Sequence, residues 1–448
     1  MMGMIVMVGC SGTLSQEELD EALAIELLDQ ITLVSSTTSD LLLATTITKE
    51  GIDYELSWES SHKEIINSSG TLVQPDVDTT VSLTASVTVG SIQKSKVFTI
   101  IAYAYVPSNP FVASHQFIDR ASEFDLRNRQ DLKVVDNRVV LSETSVSATH
   151  ISKEFTVTPF KSMVASWAAI SSATSTAEVQ VRVRVDGVWS KYFSYRPWGL
   201  GLNNASWNTA DTVAKISIDE IIILDSKLAD AFQYKLILSR ANITVDSPAV
   251  SLVATTFDIP NYTYQVNIDD LPDFLDYDVP MRSQQEVPVI GSSICSPTSS
   301  AMLLQYKGHD FSEDDELAHR YLAGLFRDYG AKIYGNWVYN TVGMSAYGED
   351  SYVGRMYSFE ELRRHLKDVG PVAASVSGDL GIYTTGGHLI VVRGYRITDT
   401  GDTFVIVNDP NINDRFGNDI SGEPLFVYYE FPLEVFMRVW KGIVYIVE

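Results

Sequence analysis

Ile294-Cys295-Ser296-Pro297-Thr298-Ser299-Ser300-Ala301-Met302-Leu303-Leu304 is the stretch on which the reading of this chain turns. A turn-forming Ser-Pro follows the thiol at once, and an apolar, helix-compatible run follows the turn. A cysteine in the first turn of a helix feels the positive end of the helix dipole, which favours thiolate over thiol. The thiolate is the nucleophilic form, so this placement suits attack on a carbonyl carbon. The only other cysteine is Cys10, at the extreme N-terminus. A structural disulfide between the two is not expected, and Cys295 reads as a free thiol.

A cysteine hydrolase also needs a base, a group that orients the base, and donors for the oxyanion. There are seven histidines. His62, His115 and His150 fall in β-rich stretches. His309, His319 and His365 sit among charged residues and read as ordinary exposed histidines. His388 differs, because it follows Gly386-Gly387 and opens the apolar strand Leu389-Ile390-Val391-Val392. Downstream, Val405-Ile406-Val407-Asn408-Asp409-Pro410 ends a strand in a carboxylate. If the two strands pair, Asp409 lands beside His388 and accepts its Nδ1–H. A capping or turn aspartate in Asn-Asp-Pro is the competing reading, and it stays open here. Upstream, Arg282-Ser283-Gln284-Gln285 offers a side-chain N–H that, with the Cys295 backbone N–H, would build an oxyanion hole. The order Gln, Cys, His, Asp is more specific than any one member.

These stretches resemble the C39-like family of bacterial papain-fold cysteine peptidases. The match runs over about 278–448 and rests on Val279-Pro280-Met281-Arg282-Ser283-Gln284, Cys295-Ser296-Pro297-Thr298-Ser299 and Gly335-Asn336-Trp337. It continues through Gly370-Pro371-Val372-Ala373-Ala374-Ser375-Val376, Gly387-His388-Leu389-Ile390-Val391 and Val407-Asn408-Asp409-Pro410. The resemblance implies an α+β papain-like domain with Cys295 as nucleophile, His388 as general base, Asp409 as its orienter and Gln284 as oxyanion donor. Gln285 is the near alternative to Gln284. One departure is Ser292-Ser293-Ile294, where relatives often carry Gly and Trp. Trp337 reads equally as cleft lining or core. The leader-cleaving exporter role of the best-known relatives is not expected to transfer.

Towards the N-terminus the pattern changes. Residues 15–30 (SQEELDEALAIELLDQ) carry helical spacing with acids in the first turn. From Ile31 to Val106 alternation such as Thr80-Val81-Ser82-Leu83-Thr84-Ala85-Ser86-Val87 predicts a small β-sandwich. Leu56-Ser57-Trp58-Glu59, Ile65-Ile66-Asn67-Ser68-Ser69-Gly70 and Val81-Ser82-Leu83 resemble the atrophied bacterial immunoglobulin-like domains, with Trp58 expected in the core. A second sandwich is expected over 111–265, with strands at Glu178–Val185, Ile216–Leu224, Gln233–Ser239 and Ala249–Thr256 and a hairpin turn at Asp186-Gly187. Gly187-Val188-Trp189-Ser190 and Ser166-Trp167 resemble the β-domain found ahead of bacterial papain-like peptidases, which implies support and not chemistry. Trp189, Trp198 and Trp207 recur every nine residues; a sugar-stacking face and a core role are both open. Asp269–Asp278 reads as a linker, and helices are expected at Ser312–Tyr329 and Phe359–Val369.

The chain of 448 residues therefore reads as two N-terminal all-β sandwiches followed by an α+β domain, with boundaries at 18–105, 111–265 and 278–448 after a signal-like 1–17. A formal net charge of −24 argues against nucleic-acid partners. No stretch approaches the roughly 18 apolar residues of a membrane-spanning helix. Met1–Gly12 resembles the end of a bacterial lipoprotein signal, which would lipidate Cys10 and hold the protein at the cell envelope. No cofactor is expected. Asp409-Pro410-Asn411-Ile412-Asn413-Asp414 begins like a calcium loop, but Asp414 stands where glycine is needed and Ile420 where an acid is needed, so no metal is expected. The expectation is an extracellular or envelope-bound cysteine peptidase acting on a peptide or protein, cell-wall peptide included. Its rivals are a non-catalytic adhesive protein that contacts glycan or peptide, and an acyl transferase using the same residues.

Overall fold

The computed structural model describes residues 15–75, 77–104, 111–126, 129–311, 317–411 and 428–448. Cys10 and the part of the calcium-like loop from Ile412 onward lie outside the described residues, as do 312–316 of the expected helix at Ser312–Tyr329. The chain forms two compact units, Met1–Ser108 with Leu126–Arg129, and Asn109–Asp125 with Gln130–Glu448.

In the first unit, helix Gln16–Asp29 opens with a capping box. The Ser15 hydroxyl accepts from the Glu18 N–H, and the Glu18 carboxylate accepts from the Ser15 N–H. Its buried face, Ala24, Leu27 and Leu28, packs on a sheet ordered Ser36–Thr37, Ile92–Ala102, Thr79–Val89, Ile52–Ser60, Thr46–Lys49. Val81, Leu83, Ala85 and Val87 alternate inward, as the period of two requires. Trp58 lies in this core, and its indole N–H donates to the Ala44 carbonyl at 2.7 Å.

The second unit begins with two sheets. One contains Ser175–Val185, Ala229–Arg240 and Phe155–Phe160; the other contains Ser162–Ile170, Ala249–Asp258 and the hairpin Ala214–Ser217/Glu220–Ile223. Asp186 and Gly187 both take positive φ, 50° and 78°, as a two-residue hairpin turn demands. The single strand expected over Ile216–Leu224 is instead that tight hairpin, broken at Ile218-Asp219. Five isoleucines in the segment hid the turn, because Ile218 is a β-branched residue in the left-handed region (φ 61°). The three regularly spaced tryptophans share no common face. Trp198 is fully buried, Trp189 lies under the Arg182 guanidinium at 4.4 Å, and Trp207 is exposed.

The C-terminal part mixes helices with an antiparallel sheet ordered Ser351–Arg355, Trp440–Val447, Val372–Asp379, Thr384–Ile397, Thr403–Asn408, Tyr429–Pro432. Alternation assigns its two faces. Ala373, Leu389, Val391 and Tyr445 pack with helices Cys295–Tyr306 and Ala318–Phe326. Val372, Ala374, Ile390, Val392 and Val444 pack with helices Phe359–Asp368 and Leu433–Val439. Both faces are covered, so these strands read as continuous apolar runs. The expected linker is partly a strand: Phe274–Asp276 pairs with Arg396, Tyr395 and Gly394. Its acids are taken up by bases, Asp276 by Arg393 at 2.7 Å and Asp270 by Arg364 at 2.5 Å.

The second sandwich and the C-terminal sheet share one core, in which Ala168, Leu252 and Ala254 meet Tyr352, Met356 and Phe359. Polar contacts run alongside. The Val353 N–H donates to the Ser166 hydroxyl at 2.9 Å, and His115 pairs with Glu361 at 2.7 Å.

Candidate active site

Cys295 is the first residue of helix Cys295–Tyr306. Pro297 falls in the first turn, where its missing N–H costs nothing. The helix is fixed to the strand that carries the imidazole: the Ser299 hydroxyl donates to the Leu389 carbonyl at 3.1 Å. The Ser296 hydroxyl meets the Tyr445 hydroxyl at 2.7 Å. Cys295 keeps partial exposure while the nine residues after it are buried.

His388 is not at the mouth of its strand. The strand begins at Thr384, and His388 lies within it, opposite Val376. The four preceding residues are polar or glycine and largely exposed, which is why they do not read as strand from sequence. Strand Thr403–Asn408 pairs antiparallel with this one, Val391 opposite Asn408. That register carries Asp409 past the strand end and back towards His388. The contact is 2.7 Å from Asp409 Oδ1, and it engages His388 Nε2, not the expected Nδ1. The ring therefore turns its other nitrogen towards Cys295. A β-bulge between Val392 and Gly394 shifts the register of this strand pair, which spacing in the sequence does not encode.

Electrostatics follow from this packing. Burial alone pulls the His388 imidazole down, but the charges of Asp409 and Cys295 and their hydrogen bonds raise it to about 10. Burial alone raises the Cys295 thiol. The His388 charge and hydrogen bond outweigh it, helped by the backbone N–H groups of Leu389 and Ser296, and the thiol ends below its ordinary value. Both shifts favour the thiolate–imidazolium form of the pair.

Gln284 and Gln285 separate cleanly. Gln284 is buried, and its backbone N–H donates to the Pro410 carbonyl at 2.8 Å. Gln285 is exposed, and its side chain donates to Asn411 Oδ1 at 2.9 Å. The glutamine loop is thereby stitched to the loop that carries Asp409. Gly291 lets its own turn lie close on the glutamine loop, because a Cβ there would stand 2.6 Å from the Gln284 carbonyl oxygen. The departing segment Ser292-Ser293-Ile294 follows as a 3-10 turn with both serines exposed and Ile294 buried.

Two donors to Asp409 in the site carry no sequence signature, one a side chain and one a backbone N–H. The Tyr383 hydroxyl donates to Asp409 Oδ2 at 2.6 Å, and its ring stands edge-on to His388 at 6.0 Å. The Asn411 N–H donates to Asp409 Oδ1 at 2.8 Å. Asp409 is thus saturated by protein donors, and none of the described residues forms a metal-binding cluster. Two histidines expected to be exposed are not. His319 is fully buried, and burial, with the Arg282 charge, drops its imidazole to about 4; burial does the same to His365. Trp337 is partly exposed and packs on the same apolar cluster as Cys295.

A helix-borne thiol facing a strand-borne imidazole and carboxylate is a peptidase-type arrangement. Residues 277–441 match the Peptidase_C39 like family. Ahead of them, residues 121–257 match the Peptidase C39 N-terminal domain, and residues 17–104 the Atrophied bacterial Ig domain. The order is the one read from the sequence. No curated protein matches the chain. Among solved structures, the CBM51-2 and INT domains from Clostridium perfringens ZmpB are 12% identical, with a TM-score of 0.14 over 56% of this chain and 51% of that one. The same domains with CBM51-2 in complex with GlcNAc are 11% identical, with the same TM-score and coverage. The chain spans about half the length of these structures, and a TM-score so low carries no argument about fold or ligand.

Proposed function

We propose that the chain is a cysteine peptidase whose C-terminal domain has the α+β papain-like architecture and hydrolyses an amide through an acyl–Cys295 intermediate. The observation that carries this reading is the single buried imidazole of His388 held between the Cys295 thiol and the Asp409 carboxylate, 2.7 Å from the latter. The Cys295 thiolate adds to the scissile carbonyl carbon, and the carbonyl π pair moves onto oxygen. The backbone N–H of Cys295 and the Gln284 amide serve as donors to that oxygen. The carbonyl re-forms as the C–N bond breaks, and His388 gives its proton to the departing amine. Water then enters, His388 takes its proton, and hydrolysis of the thioester releases the carboxylic acid and returns Cys295 as thiolate beside the protonated His388. Asp409 keeps the imidazole oriented and stabilises its charged form throughout.

The substrate in this reading is a peptide or protein outside the cytoplasm, cell-wall peptide included. Gly386 and Gly387, just ahead of the base, would place a Cβ in open space. Neither residue is needed for internal packing, so they are suited to let a substrate backbone pass close to His388. The test is digestion of a mixed peptide library read by mass spectrometry, with Cys295→Ala beside the wild type. Cleavage by the wild type and a loss of at least about 10³-fold in the variant is expected. Cleavage retained in Cys295→Ala would overturn the assignment. Amide products formed with an added amine would mark acyl transfer in place of hydrolysis.

A further inference from the structure

One carboxylate of the second sandwich reaches into the framework of the cysteine centre. Asp219 sits in the hairpin turn of Ala214–Ser217/Glu220–Ile223, is 8% exposed, and its Oδ2 accepts the backbone N–H of Trp337 at 2.5 Å. Trp337 is the first residue of helix Trp337–Ser345. That helix therefore has two N-terminal acceptors: Asn336 from its own chain segment, bonded to the Tyr339 N–H at 2.9 Å, and Asp219 from the sandwich. A carboxylate here also faces the positive end of the helix dipole.

The turn that presents Asp219 is costly and held on purpose. Ile218 takes a φ of 61°, a position where a β-branched side chain is strained, and its N–H donates to Asn208 Oδ1 at 2.6 Å. Burial pushes the Asp219 carboxyl up to about 7, with the charges of Glu220 and Asp328 adding to it. Asp328 makes a parallel stitch. It is fully buried, accepts from the Ser206 N–H of the sandwich at 3.0 Å, and accepts from the Asn336 side chain at 2.9 Å. Tyr339, on the same helix, donates its hydroxyl to the Tyr195 carbonyl of the sandwich at 3.3 Å.

Two routes join this junction to Cys295. Helix Trp337–Ser345 packs directly against the nucleophile helix. Tyr445, whose hydroxyl meets Ser296 beside the thiol, lies in the field of both Asp219 and Cys295, each adding to the rise that burial imposes on its phenol. We propose that Asp219, a residue of the accessory sandwich, is a positioning residue of the cysteine centre: by capping helix Trp337–Ser345 it sets that helix against the first turn that holds Cys295. The sandwich is then part of the catalytic unit and not a spacer ahead of it.

This rests on the cysteine-centre reading above, and the test separates the two. The measurement is the alkylation rate of Cys295 by iodoacetamide as a function of pH on the full chain, read at the Cys295 peptide by mass spectrometry, for wild type, Asp219→Asn and Asp219→Ala. Asparagine keeps an acceptor for the Trp337 N–H, so its profile should stay within about twofold of wild type. Asp219→Ala should alkylate roughly five- to tenfold more slowly at neutral pH, with its midpoint moved upward. If Asp219→Ala does not fold, Asp219→Ser supplies the comparison, since its shorter side chain withdraws from the amide. A profile for the acceptor-deficient variant that superimposes on wild type would reduce Asp219 to a fold latch and overturn the proposal. A wild-type thiol that is itself inert below its ordinary pKa would instead overturn the cysteine-centre reading.

Discussion

Both oxygens of Asp409 are committed, Oδ1 to His388 and the Asn411 N–H, Oδ2 to the Tyr383 hydroxyl. Tyr383→Phe removes one donor and leaves a lone pair stranded in a buried site. The expected cost is about 1–2 kcal/mol in stability by chemical denaturation. Turnover should drop about three- to tenfold, because the carboxylate then holds the imidazole less firmly. Unchanged stability and rate would mean that the phenol only fills space. Cys295, His388 and Asp409, which the fold brings together, were legible in the sequence because each is a chemically distinctive residue beside a glycine, a proline or an apolar run, and their order is informative. Tyr383 was not legible, since an aromatic five residues before a histidine has no periodic signature. Which ring nitrogen faces Asp409 was equally hidden, because residue type and spacing do not encode the rotation of a ring. Gln284 is buried and Gln285 exposed, a difference that two adjacent identical residues cannot reveal in sequence.

At the scale of elements, the site depends on an edge that composition disguised. The acidic, proline-containing run before residue 278 looked like linker, yet Phe274–Asp276 is hydrogen-bonded to the histidine strand. Gly394 is the residue that admits it: a Cβ there would stand 2.0 Å from the Leu275 carbonyl oxygen. Gly394→Ala should force the two strands apart and lower stability by about 2 kcal/mol or more, read as a fall in melting temperature. Gly387→Ala, whose Cβ meets nothing within 4 Å, should leave the melting temperature unchanged. The alternating strands Thr79–Val89 and Ser175–Val185 were plain in sequence because one face of each is solvated. The hairpin Ala214–Ile223 was not, because the turn uses isoleucine where glycine or asparagine is the usual signal.

At the scale of the molecule, stability is tied to pH through shifted imidazoles and carboxyls. His388 is raised to about 10, so its contribution is fully present below about 6.5 and is lost as pH rises through about 10. The lowered Cys295 thiol contributes above about 8.5 and loses that share as pH falls through its folded value. His319 and His365 run the other way to His388. Each is lowered to about 4, so the fold binds fewer protons than the unfolded chain between about 6.5 and 4, and stability falls as pH drops through that window. In that window these two histidines make denaturation midpoints decline on acidification from pH 6.5 to 4, while the buried carboxyls of Asp219 and Asp119, raised to about 7 and about 6, work in the opposite sense. Replacing His319 by a neutral glutamine should flatten part of that decline; an unaltered slope would mean that His319 titrates normally. The three-part domain order was legible because family-like motifs sit in each part. The shared core of sandwich and C-terminal sheet was not, since Ala168, Leu252 and Ala254 carry no mark of facing another domain.

The central claim is that His388 holds Cys295 as a thiolate, and the most direct test is the pH dependence of Cys295 alkylation in wild type and in His388→Ala. A free cysteine titrates near about 8.5. The account predicts fast labelling of Cys295 well below that pH, lost in His388→Ala. Labelling that follows an ordinary thiol and is indifferent to His388 would contradict it.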